Sequence, residues 1–259
     1  ERRMRMMNPS IKKGTKIAAG IVGIGLIGFI LFVTNAFVGN PVSAHFANKA
    51  INKYVEEKYG HLDLETEKVY YNFKDNAYVG RGVSPTSIDT HFAVYYRNGE
   101  VYQDDYEGYV VKGFNTVDRL GEEYSQLAQT IVANDLGFKG NTTRVMYDSM
   151  YYSNPSIHFE KDMKFDRSIK AKAEVMLRLE LKDKSVDGIV AVFESAHEAF
   201  LKYDCTFQSY SLSSEDKKTD IMVTGVKPSH IESGNLKDLI QKAWDGDSAE
   251  GIYVNIYEK

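Results

Sequence analysis

The chain has 259 residues, 43% of them hydrophobic and 26% charged, with a net charge of −4 and a single cysteine. That balance excludes a disordered polyampholyte and opposes nucleic-acid binding, and one thiol excludes internal disulfides and cysteine-rich metal sites. The length accommodates one or two domains, each large enough to bury a core unaided.

Residues 1–16 read as a basic cytoplasmic tail, with Arg2, Arg3, Arg5, Lys12, Lys13 and Lys16 against Glu1. Ile17 to Val38 follow without a charge, a run of about 33 Å as a helix, enough to cross the roughly 30 Å hydrocarbon core. The lipid bilayer is thus the first expected partner. The positive-inside rule places the tail in the cytoplasm and the bulk of the chain, strongly acidic, outside a cell membrane crossed once. Val42-Ser43-Ala44 resembles a signal cleavage site, yet the apolar run exceeds the roughly 7–15 residues of a signal peptide. An anchor is therefore the expectation, with cleavage after Ala44 the alternative. The chain opens on Glu1, with Met4, Met6 and Met7 as alternative starts. Gly23-Ile-Gly25-Leu-Ile-Gly28 matches a dinucleotide-binding pattern, but inside a membrane run small residues serve helix packing instead.

An N-terminal extracytoplasmic α+β domain is expected over 39–138. Asn40-Pro41 breaks the first helix, Ser43 is placed to cap the next, and Phe46, Ala47, Ala50, Ile51, Tyr54 and Val55 give it one apolar face. Alternation at Glu67, Val69, Tyr71 and Phe73, a return over Tyr78–Val83, a strand entering the Asn98-Gly99 turn and a last strand from Glu100 to about Val111 make an antiparallel meander. Between two of these strands, "SPTSIDTHF" gathers Ser84, Ser87, Asp89 and His91, residue types a hydrolase would use. Asp89 and His91 share a strand face about 6.5–7 Å apart, too far for a direct pair, and serines of a proline turn favour local backbone bonds.

A second amphipathic helix is predicted from Phe114 to about Asp135, closed by Gly137. Residues 139–165, rich in tyrosine, read as a connector or strand pair. Over 166–259, Ala171, Ala173, Val175, Leu177, Leu179 and Leu181 alternate with polar residues as a half-buried strand. A helix near 187–203, strands near 206–212 and 219–227, a helix near 233–244 and a final "GIYVNIY" complete βαββαβ, a ferredoxin-like order. That order also describes an RNA-recognition module, whose basic aromatic signature is absent. "HEAFL" from His197 to Leu201 fails the zinc pattern H-E-x-x-H, the six histidines are scattered, and no metal or other cofactor is expected. Asn141-Thr142-Thr143 fits a glycosylation acceptor, relevant only on a eukaryotic secretory route. Cys205 adjoins strand-like "TFQSY" and reads as a small buried thiol.

The stretch "NPVSAHFANKAINKYVEEKYGHLDLETEKVYYNFKDNAYVGRGVSPTSIDTHFAVYYRNGEVY" resembles the N-terminal region of the YfjL-like family of membrane-anchored proteins of low-GC Gram-positive bacteria. The resemblance implies an anchored extracytoplasmic protein and carries no activity, catalytic residue or cofactor with it. The helix-then-sheet plan is also similar to PepSY-type and cystatin-like modules, the former associated with protease inhibition or regulation. Two readings stand: a non-enzymatic interaction or regulatory role at the cell surface, with another membrane or envelope protein as partner, or a cell-envelope hydrolase built around Ser84–His91. For the first, Met176, Tyr210, Met222, Tyr253 and Tyr257 are the expected interaction surface on the open face of the C-terminal sheet, covered by a partner or by segment 139–165.

Overall fold

A computed structural model describes residues 9–148, 159–169, 171–217 and 219–259, so part of the predicted basic tail and residues 149–158 of the predicted connector lie outside the described residues. Helix α1 spans Pro9–Val38. Its apolar side chains, Ile21, Ile24, Leu31 and Phe32 among them, are exposed rather than buried against protein. It is long and apolar enough to cross a membrane, with a stretch of mean hydropathy 2.5. The chain then divides into two compact units, 1–107 and 108–259.

In the first unit, α2 covers Pro41–Tyr59. Its cap is Asn40 rather than the expected Ser43: the Asn40 side-chain oxygen accepts from the Ser43 amide at 2.7 Å, and Pro41 stands at the first helical position, where it has no amide to lose. Ala47, Ile51, Val55 and Tyr59 are buried at four-residue spacing, whereas Phe46, expected on that face, is exposed. The helix lies on a sheet in which β1 (Glu65–Thr66), β3 (Ala77–Val83), β4 (His91–Arg97) and β5 (Glu100–Asp104) run in that order, with β2 (Tyr70–Asn72) also paired to β3. Gly80 lets the helix come close, since a Cβ there would meet Ile51 Cγ2 at 3.0 Å. The β4–β5 hairpin turns on Asn98 and Gly99, both at positive φ, as expected for an Asn-Gly turn. The last strand stops at Asp104 instead of continuing to Val111, and residues 107–111 form a wide helical turn.

The second unit takes α3 (Phe114–Asp135), which the sequence reading assigned to the N-terminal domain. The physical reason is its apolar face: Val117, Leu120, Tyr124, Ala128, Ile131 and Val132 enter one core with Val175, Phe193, Leu212 and Ile240. The sheet comprises β6 (Arg144–Tyr147), β7 (Ala173–Arg178), β8 (Ser209–Glu215), β9 (Thr219–Val226) and β10 (Tyr253–Glu258), ordered 10-9-8-7-6. Helices α4 (Val186–Lys202), α5 (Pro228–Glu232) and α6 (Leu236–Trp244) complete it; α6 is the helix predicted near 233–244, and the short α5 before it was not predicted. The βαββαβ order is present, but its sheet is not the expected ferredoxin-like one. β7 and β8 are adjacent parallel strands joined by α4, whereas the ferredoxin-like arrangement splits that pair with a third strand.

The two edges of this sheet differ. Outward-facing groups of β6 are met by α3: the Val145 amide donates to Ser125 Oγ at 2.8 Å, and Gln129 Nε2 donates to the Thr143 carbonyl at 2.8 Å. Gly121 permits this approach, because a Cβ there would stand 3.3 Å from the Val145 carbonyl oxygen. β10 forms the other edge, and nearly all its side chains are exposed.

Candidate functional site

The strand register decides which side chains share the open face of the second sheet. Arg178 stands beside Ser213, Ser213 opposite Met222, and Met222 opposite Asn255, giving one row across four strands. Tyr253 and Tyr257 flank Asn255 at two-residue steps and therefore project to the same side. They are 65% and 61% exposed, while Met176 and Met222 are half-buried. Met176, Arg178, Ser213, Glu215 and Met222, with Gly140 and Thr142, line a shallow concavity of about 540 Å³. Arg178 Nε reaches the Met176 sulfur at 3.4 Å, so the floor mixes a polarisable thioether with a cation.

Four of the five expected surface residues are thus brought to one face, and Tyr210 is not. It has the parity of Leu212, whose side chain is core, and it is 1% exposed. Its ring meets Phe200 and Phe207, and its hydroxyl is 2.8 Å from His197 Nδ1, whose Nε2 lies 3.2 Å from a Glu232 carboxylate oxygen. Burial pushes the Tyr210 hydroxyl well above the usual tyrosine range. Of segment 139–165, expected as one possible cover, Gly140 and Thr142 line the rim of the concavity, and residues 149–158 lie outside the described residues. β6 extends the sheet at its edge, and Phe159, Met163 and Phe165 pack on the core side. Met146, exposed on β6 and in register with Glu174, joins the open face; it falls in the 139–165 stretch expected as a connector or strand pair, for which no face was assigned.

In the first unit, the serine-rich turn uses its hydroxyls locally. Ser84 Oγ accepts from the amides of Thr86 at 3.3 Å and Ser87 at 3.2 Å, and Ser87 Oγ is 2.6 Å from Thr90 Oγ1. Asp89 is buried and His91 opens β4.

The strongest electrostatic cluster there escaped sequence reading. Asp104 accepts from Tyr54 Oη at 2.5 Å, Lys58 Nζ at 2.8 Å, Tyr59 Oη at 3.0 Å and the Tyr106 amide at 3.0 Å. Burial alone would raise its carboxyl, but these donors, Lys58 foremost, outweigh burial and hold it below the usual range. The hydrogen bond to Asp104 raises Lys58, and burial lifts Tyr59 to about 12. The i, i+4, i+5 spacing of Tyr54, Lys58 and Tyr59 was the one available signal. Burial likewise raises the Cys205 thiol, which is enclosed in the core. Among the described residues, no group of three or more His, Cys, Asp or Glu is placed to hold a metal.

Another concavity, of about 300 Å³, lies where α1 meets the meander. Asn35, Asn40, Tyr71, Tyr78 and Arg97 are among its lining residues. The Asn40 amide donates to Tyr78 Oη at 2.8 Å, and Phe37 stacks on Phe73 with centroids 5.7 Å apart. Gly39 has φ +71, and a Cβ there would lie 2.8 Å from both the Tyr71 ring and Tyr78 Oη, so glycine is required twice over.

No curated protein and no solved structure matches the chain. Two family models do: the YfjL-like N-terminal domain over residues 14–105 and the YfjL-like C-terminal domain over residues 123–241. Each match falls within one of the two compact units. Together they leave the ends and residues 106–122, including the start of α3, uncovered, and the chain belongs to the YfjL-like family.

Proposed function

We propose that this is a single-pass, membrane-anchored extracytoplasmic protein that works by binding another membrane or envelope protein through the open face of its second sheet. The observation that carries the reading is the composition of that face. Tyr253, Tyr257 and Met146 are exposed around the half-buried Met176 and Met222, beside a concavity bearing Arg178 and Glu215. Tyrosine, methionine and arginine are the types enriched where proteins meet, and methionine adapts to irregular partners. The helix laid on an antiparallel meander in the first unit supports the likeness to PepSY-type and cystatin-like modules, at the level of plan alone. The exposed apolar α1 supports anchoring, and the basic residues that precede it support a cytoplasmic N-terminus. Against a hydrolase at Ser84–His91 stands the engagement of both serine hydroxyls within their own turn.

The test is site-specific photocrosslinking in native membranes, with the crosslinker at Met222 or Tyr253 and, as a control, at Lys242 on α6. A discrete adduct from the sheet positions, absent from Lys242 and lost when Arg178→Glu is added, supports the reading. Equal labelling from all three positions overturns it.

A further inference from the structure

Five exposed apolar side chains of the first unit lie around the end of α1. Phe37 and Val38 end α1, Val42 and Phe46 lie in the first turns of α2, and Phe73 sits at the β2–β3 turn; all five are more than half exposed. They are held together by structure already described. Phe73 stacks on Phe37, Gly39 lets Tyr71 and Tyr78 close on the joint, and Tyr78 Oη binds the Asn40 amide. Residues from both hairpin turns, Asn76 and Arg97 to Gly99, line the concavity that also contains Asn35 of α1, so both turns lie at the α1 end of the unit. Lys74 and Arg97 stand on those turns, and Arg97 Nη1 donates to the Asp75 carbonyl at 3.5 Å.

We propose that this collar of Phe37, Val38, Val42, Phe46 and Phe73 seats the first unit on the bilayer surface that α1 enters, its occupant being the lipid interface. The inference rests on reading α1 as a membrane span. The collar adjoins the exposed apolar surface of α1 at Phe37 and Val38, which commits it to the same solvent. If α1 spans from Ile17, its end at Val38 falls near the hydrocarbon boundary, and Phe73, one ring away, falls at headgroup level. Tyr71, Tyr78 and Tyr96 then stand in the zone where amphipathic rings settle in membrane proteins, and Lys74 and Arg97 meet lipid phosphates. Phe46, which lies off the buried stripe of α2, thereby acquires a contact.

The experiment uses the full chain reconstituted in vesicles of phosphatidylcholine and phosphatidylglycerol. Tryptophan is introduced singly as Phe29→Trp, Phe73→Trp or Ile88→Trp, and the emission of Trp244 in the parent is subtracted. Ile88 is exposed at the opposite end of the β3–β4 hairpin from Arg97. The expected result is strong quenching of Phe29→Trp by a lipid spin-labelled deep in the acyl chain, quenching of Phe73→Trp by a headgroup-proximal label, and none for Ile88→Trp. Quenching of Phe29→Trp with Phe73→Trp behaving like Ile88→Trp overturns the collar and leaves the span intact. Loss of quenching at Phe29→Trp overturns the span, and the collar with it. Protection of Phe73→Trp from lipid label and aqueous iodide alike would assign the collar to protein and likewise overturn the proposal.

Discussion

The two faces of the second sheet use the same residue types for opposite ends. Tyr210 is enclosed by Phe200 and Phe207 with its hydroxyl on His197, whereas Tyr253 and Tyr257, both two strands away on β10, stand in solvent. The difference teaches that a tyrosine's role here is set by strand parity and by whether a partner exists for its hydroxyl. Composition alone does not discriminate the two.

The largest effect should come from the enclosed face. Leu212→Ala removes a fully buried side chain at the centre of the core, and a loss of about 2–5 kcal/mol is expected, read as a lower urea midpoint. A loss under about 1 kcal/mol would mean the core relaxes far more than its packing suggests.

Next is the sealed edge. Ser125→Ala strips the Val145 amide of its acceptor while removing almost no volume, and should cost about 1–3 kcal/mol. Hydrogen exchange checks it: Val145 should exchange faster in the variant while β8 amides stay protected.

In the first unit the contrast between an engaged and an open polar group can be titrated. Asp104 has a folded pKa below its unfolded value near 4, so its contribution is present above about pH 4 and lost as pH falls through the depressed value. Lys58 is raised, so its contribution is present below about pH 10 and lost as pH rises through the higher value. Asp104→Asn should flatten both limbs of a stability-against-pH curve. An unchanged acid limb would remove Asp104 from the explanation.

The smallest change in stability belongs to the open face. Tyr253→Ser and Met222→Ser should change the unfolding free energy by no more than about 0.5 kcal/mol each. Each should nonetheless reduce the adduct formed from a crosslinker at the neighbouring position. A large stability loss would show that the face carries structural load.

Much of this was legible in the sequence where local physics decides. The 3.6-residue repeat closed by Gly137 marks α3 at both ends, Asn98-Gly99 marks its hairpin, and the alternation from Ala171 to Leu181 marks the buried side of β7. What was not legible depended on distant partners. α3 shows an apolar stripe but not which sheet it covers, and β7–α4–β8 does not show whether a third strand enters between the parallel pair. Tyr210 was legible and misread, since Leu212 two residues on already assigns its side. At the end of β5, Asp104 receives Tyr54, Lys58 and Tyr59 from α2, a convergence that exists only after folding.

The joint at Gly39–Asn40 has a mechanical consequence. A flexible linker would let an anchored unit swivel, but here a left-handed glycine is wedged against Tyr71 and Tyr78, and the adjoining amide is tied to Tyr78 Oη. On the proposed reading of α1 as a membrane span, α1 and the meander would act as one lever. A helix that tilts to match bilayer thickness would carry its unit through the same angle, converting membrane compression into rotation of the attached surface. Replacing Gly39 by any residue with a side chain would force the fulcrum open and uncouple the two arms.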